Sequence, residues 1–193
     1  TFSFGGYHDP RHMGFRALRV LNDDRVAPGK GFGAHGHRDM EIISYVMEGK
    51  LAHHDSLGKP REIGPNEVQA MSAGSGVIHS EFNASATEPT HFLQIWIVPD
   101  REDIEPSYQQ FGYAPVEKHN VLRLMAGPDT KNLAAARIHQ DAQMYAAVLD
   151  RDSAVNYTIP RGRHVWLHCA AGHMDVNGMA LEGLTRPYGG TFL

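Results

Sequence analysis

Two short segments carry residues of the right type and spacing to hold a metal ion. The first runs from Gly29 to Glu41 and contains His35 and His37; the second runs from Gly74 to Glu81 and ends on His79-Ser80-Glu81. Side chains at i and i+2 of an extended strand leave the same face. His35 and His37 therefore project together, and so do His79 and Glu81. Two such strands side by side offer three imidazoles and one carboxylate, a donor set that suits Fe, Ni, Cu, Mn, Zn or Co. Glu41 is a rival for the carboxylate. Its parity matches His37, but on a straight strand it lies about 13 Å further along, and only a bulge or bend brings it back. Glu81 needs no such help and ranks first. Gly31, Gly33 and Gly36 leave room beside the pair for a flat ligand.

The other histidines rank below these three. His53 and His54 follow Gly49 on one strand, so one must face inward, but solvated side chains are the favoured reading. His8, His12, His91, His119, His139 and His173 show no ligand spacing. His164 and His168 share parity but sit about 13 Å apart when extended. Trp96 and Trp166 lie in apolar segments and read as core. No Gly-x-Ser-x-Gly elbow appears, which argues against a hydrolase, and Gly29-x-Gly31-x-Gly33 opens a strand rather than a dinucleotide-binding helix.

The elements around these segments are β-rich. Apolar and alternating runs recur at Phe15–Leu21, Glu41–Met47, Glu67–Ser72, Val77–Phe82, His91–Val98, Val121–Met125, Met144–Leu149, Val155–Ile159 and His164–Ala170. Turn-forming clusters such as Asn22-Asp23-Asp24 and Gly64-Pro65-Asn66 separate them. With 20 Gly and 11 Pro in 193 residues, long helices are disfavoured. Many short strands with regular turns predict a sandwich or barrel. Residues 99–118 hold Pro99, Pro106 and Pro115 and read as a linker between two β units, 1–98 and 119–193. A weak echo between Ser44–Leu51 and Leu167–Met174 agrees with duplication.

Composition excludes several classes. The formal charge is −4, with 18 Lys plus Arg against 22 Asp plus Glu, and no basic block marks a nucleic-acid binder. No apolar run is long enough for a membrane helix. The single Cys169 rules out an internal disulfide framework and fits a cytoplasmic setting.

The two histidine segments resemble the cupin motifs. Gly29, His35, His37, Glu41 and Gly49 follow the first motif with one extra residue before its last glycine; Gly76, His79 and Asn83 follow the second. Over nearly the whole chain the sequence resembles the pirin family. The likeness is carried by Thr1-Phe2-Ser3-Phe4, Asp9-Pro10, Met13-Gly14-Phe15, Leu18-Arg19-Val20, Asn22-Asp23-Asp24, His37-Arg38-Asp39-Met40-Glu41-Ile42, Met71-Ser72-Ala73-Gly74, His79-Ser80-Glu81, Gln94-Ile95-Trp96-Ile97, His139-Gln140-Asp141 and Tyr145.

That resemblance implies an all-β bicupin, two antiparallel β-barrels of jelly-roll type packed together. Residues 1–98 would form the metal-binding barrel and 119–193 a barrel without a metal site. It implies metal ligands at His35, His37, His79 and Glu81, and quercetin 2,3-dioxygenase activity with Glu81 as the catalytic base. The expected partners are a flavonol and dioxygen, with iron the first choice of metal because two positions must stay open for redox chemistry. The competing expectation is a non-enzymatic metal or redox sensor that binds a protein partner. A monomer is expected. Relative to the family, residues ahead of Thr1 and strands beyond Gly178 are expected to be missing.

Overall fold

The computed structural model describes residues 2–58, 60–130, 134–183 and 190–192. The chain divides into two compact units: Thr1–Tyr113 with Ala126–Ala142, and Ala114–Met125 with Gln143–Leu193.

The first unit contains strands β1 (Leu18–Val26), β2 (Gly31–His37), β3 (Glu41–Glu48), β4 (Leu51–Asp55), β5 (Arg61–Ile63), β6 (Glu67–Ser72), β7 (Val77–Asn83), β8 (Thr90–Ile97) and β9 (Ser107–Gly112). They form a five-stranded sheet in the order β1-β8-β3-β6-β9 and a four-stranded sheet in the order β2-β7-β4-β5. Every pairing recorded in these two sheets is antiparallel. The chain crosses between the sheets repeatedly, which is how a jelly roll buries one face of each.

The alternation along β3 shows how the interior is organised. Ile42, Ser44 and Val46 share one face. Val46 packs with Val26, Leu51, Ile63 and Phe92, and Ile42 packs with Met71 and Val77, with Met40 and Trp96 against them. Burial of each large side chain contributes about 1.5–3 kcal/mol. Between these apolar clusters the register aligns a polar row across the sheet: Asn22, Gln94, Ser44, Gln69 and Gln110. A polar row inside an apolar sandwich is costly unless each group finds a partner. Glu41, Ile43 and Tyr45 lie on the other face of β3, equally buried.

Several elements differ from the sequence expectation. Strands β6 and Met144–Leu149 appear residue for residue. Strand β1 begins later than expected and runs straight through Asn22-Asp23-Asp24. Three polar residues in a row read as a turn, but here two face a polar interior and the middle one pairs with a buried histidine. Ser107–Gly112, within the expected linker, forms β9, because Val68 to Ser72 of β6 present a free edge to it.

Ala126 and Gly127, the part of β10 (Arg123–Gly127) that belongs to the first unit, pair in parallel with β11 (Ala136–Arg137). In the second unit a short 3₁₀ turn spans Pro115–Lys118, and β12 (Met144–Leu149) is followed by the hairpin of β13 (His173–Val176) and β14 (Met179–Glu182) and by β15 (Gly190–Phe192). The hairpin turns at Asn177 and Gly178, both at positive φ, the conformation a two-residue hairpin loop demands. Strand β15 pairs with β12. The expected strands Val155–Ile159 and His164–Ala170 are not formed, apart from a bridge at Cys169. Their alternation is present, but Pro160 and the turn at Arg161-Gly162 break the extended run between them. Residues 184–189 lie outside the described residues. No helix among the described residues is long and apolar enough to cross a membrane.

Candidate metal centre

The bulge in β2 creates the site. Phe32 opposes Glu81 and His35 opposes His79, so β2 spends three residues where β7 spends two. The extra residue at Gly33-Ala34 brings Phe32, His35 and His37 onto one face, where simple alternation would have split them. Gly31 makes the close approach possible. A Cβ there would collide with the Glu81 carbonyl oxygen and with Phe82 Cα. The glycine therefore serves strand packing and does not leave space for a ligand, which corrects the expectation.

His35, His37 and His79 converge. His79 Nε2 lies 3.0 Å from His37 Nε2 and 3.0 Å from His35 Nε2. An imidazole nitrogen carries either one proton or one lone pair, so His79 cannot satisfy both neighbours as hydrogen bonds. His35 Nδ1 donates to the Gly33 carbonyl at 2.7 Å, which leaves its Nε2 as a lone-pair donor. Two nitrogens at right angles around an ion, each ~2.1 Å away, are about 3.0 Å apart. The donor set fits a divalent transition-metal ion.

Electrostatics keep these rings ready to bind. Burial, reinforced by His35 and opposed by Glu81, lowers the pKa of His37 to about 4. Burial also lowers His79 to about 4, with Glu81 opposing and the neighbouring imidazoles adding to the shift. Both rings are neutral at pH 7, the form a metal requires.

Glu81 is fully buried on β7, two residues from His79. Ser44 Oγ donates to its Oε1 at 3.2 Å and Gln94 Nε2 donates to its Oε2 at 2.5 Å, so the polar row finds its partner here. Burial acts to raise the Glu81 carboxyl, but His53, His79 and Ser44 outweigh it and hold it below the usual glutamate range. The carboxylate groups within 4.8 Å with His53 and His79, while His35, His37 and His79 form a second such group. The two groups share His79.

His53, which the sequence left as solvated, is buried and His54 is exposed. His53 Nε2 donates to Asp55 Oδ2 at 2.7 Å, and Gln69 Nε2 donates to His53 Nδ1 at 3.1 Å. The signal was available in the i, i+2 relation of His53 and Asp55. Glu41 sits on the opposite face of its sheet. It accepts from Ser72 Oγ at 2.8 Å and from His139 Nδ1 at 3.2 Å. The turn at Arg38-Asp39-Met40 separates it from His37, so parity counted along one straight strand does not apply.

A cavity of about 110 Å³ opens beside the site. His35, Glu81, Gln94, Asn22 and Asp24 are its polar lining, and Phe4, Phe32 and Trp96 its aromatic lining. Trp96 is thus more than core: its ring meets His37 edge-on at 4.8 Å and Phe4 at 5.1 Å.

Comparison with known proteins gives this geometry a lineage. A family described as Pirin matches residues 1–97, and one described as Quercetinase C-terminal cupin domain matches residues 124–185. The chain belongs to the pirin family. This pirin is 42% identical over 179 residues to quercetin 2,3-dioxygenase of Escherichia coli (strain K12), covering 93% of this chain and 76% of that protein. It is 38% identical over 181 residues to the pirin-like protein of Caulobacter vibrioides, covering 94% and 78%. The crystal structure of the bacterial pirin YhhW from Escherichia coli in complex with nickel(II) matches with a TM-score of 0.88 at 40% identity, over 100% of this chain and 80% of that one. The all-β cupin architecture of this pirin follows from these matches and its own sheets.

Proposed function

We propose that this pirin is a metal-dependent dioxygenase that opens the heterocyclic ring of a flavonol such as quercetin with dioxygen and releases carbon monoxide. The observation that carries this reading is one aromatic-walled cavity lined by both His35 and the buried carboxylate Glu81. The quercetin 2,3-dioxygenase relative supports the reaction class.

In this reading His35, His37, His79 and Glu81 hold one divalent ion. Iron is the first choice, since a redox-capable ion with open positions suits the reaction; the nickel(II) complex of a similar pirin supports a divalent ion of this size. When bound, the ion acidifies the flavonol hydroxyl and draws charge onto the reacting ring. Glu81 accepts the hydroxyl proton, and Ser44 and Gln94 fix the orientation of its two oxygens. Phe4, Phe32 and Trp96 enclose the flat ring and exclude water. Both atoms of dioxygen enter the product as two ring carbon–carbon bonds break and one carbon leaves as carbon monoxide.

The test is incubation of the ion-free protein with each first-row divalent ion in turn, then with quercetin and air, measuring carbon monoxide. Release with at least one ion supports the enzyme. Silence with every ion, together with partner binding that changes with the ion's redox state, would favour the sensor.

A further inference from the structure

Two polar residues of the cavity wall, Asn22 and Asp24, are left unused by the proposed chemistry. Strand β1 places Asn22 and Asp24 on the interior face, two residues apart, and Asn22 stands opposite Gln94 on β8. Both side chains line the cavity that His35 and Glu81 also line. Asp23, between them, points the other way and accepts from His91 Nε2 at 2.7 Å. Asp24 has no such partner: its carboxyl makes no hydrogen bond among the described residues. Burial, then Asp23 and Glu81, raise its pKa against an opposing pull from His91, as in a carboxyl partly withdrawn from water near other acids. An unpartnered half-buried carboxyl in a cavity wall costs stability unless a ligand donates to it.

The cavity's size limits what can enter. At about 110 Å³ it is smaller than the ~300–1,000 Å³ that encloses a drug-sized ligand. It takes one ring between its aromatic walls and leaves the rest of a larger molecule outside. A ring seated there meets His35 and Glu81 and also the Asp24 carboxyl.

Resting on the flavonol reading of this site, we propose that Asp24 is a substrate-positioning residue. It receives a hydroxyl of the ligand other than the one presented to Glu81, and so selects polyhydroxylated aromatic substrates over those with a single hydroxyl. Asn22 beside it offers a further amide to the same hydroxyl edge. The selection needs no bond to form or break; it is a hydrogen bond to a carboxyl that otherwise goes unmade.

The test uses nickel-loaded protein without dioxygen and reads equilibrium binding of two probes, quercetin and 3-hydroxyflavone. Both present the hydroxyl beside the carbonyl, and only quercetin carries further hydroxyls. The wild-type protein is expected to bind quercetin at least about 10-fold more tightly, the effect of a hydrogen bond to a charged group. In Asp24→Leu the gap closes to within about 2-fold, through weaker quercetin binding; Asp24→Asn, which keeps an acceptor but loses the charge, narrows it by about 3-fold. Thermal melts establish that the variants fold, and Asp24→Asn carries the test if Asp24→Leu does not. A gap that persists in the folded variants overturns the assignment of Asp24 while leaving flavonol binding intact. If the wild-type protein binds neither probe, the assignment falls and the flavonol reading falls with it.

Discussion

Two buried glutamates sit on the first barrel, and their surroundings differ in every respect that matters for chemistry. Glu81 lies inside the sandwich on β7, beside His79 and His53, and lines a cavity. Glu41 lies on the outer face of β3, bonded to Ser72 and His139, and lines none of the described cavities near the imidazoles. Both are almost fully excluded from solvent. Burial of an acid is therefore not what marks the site. What marks it is convergence: Glu81 shares a face with groups that cannot satisfy one another, and Glu41 shares a face with groups that satisfy it.

That contrast can be broken from either side. The largest expected effect is in His79→Ala, because His79 belongs to both clusters. Nickel affinity should fall by more than the ~10–100-fold that loss of an outer partner costs, and quercetin turnover should fall to background. Calorimetric titration with nickel(II) checks the first and carbon monoxide release the second. Retention of a tight ion in His79→Ala would place the site elsewhere.

Gln94→Leu should come next. It removes the 2.5 Å donor to Glu81 and leaves an interior acceptor short of a partner. Turnover should drop by about 10-fold with the ion still bound, the scale of a supporting hydrogen bond. Equal loss of ion and turnover would mean Gln94 shapes the fold rather than the carboxylate.

On the outer face, Glu41→Gln should cost stability and spare chemistry. It weakens two hydrogen bonds to a buried charge, about 1–3 kcal/mol in denaturant unfolding, with turnover within about twofold of wild type.

A further expectation concerns pH. In ion-free protein the pKa of His37 and of His79 is about 4, against ~6.5 when unfolded. The unfolded chain therefore binds more protons between those values, so stability should decline as pH falls from 6.5 towards 4 and level off below. His37→Phe should roughly halve that slope in thermal melts, His79 carrying the rest, and Glu41→Gln should leave it in place.

The sequence carried much of this through local rules. The His-x-His and His-x-Glu pairs followed from strand parity, and Met144–Leu149 from alternation. Parity failed where the backbone departs from a straight strand. The bulge at Gly33-Ala34 is invisible to counting, yet it decides that Phe32 joins His35 in the cavity. The turn at Asp39 removed Glu41. Asn22-Asp23-Asp24 was misread because polar residues signal a turn only when water is their partner, and here the partners are a cavity and His91. His53 was undervalued because its meaning depends on Gln69, sixteen residues away on another sheet.

One measurement tests the central claim most directly: the rate of carbon monoxide release from quercetin, compared in ion-loaded wild type, Glu81→Gln and Glu41→Gln. The expected result is a Glu41→Gln rate within about twofold of wild type, and a loss of about 100-fold or more in Glu81→Gln with the ion retained. Wild-type turnover in Glu81→Gln, or an equal loss in Glu41→Gln, would contradict it.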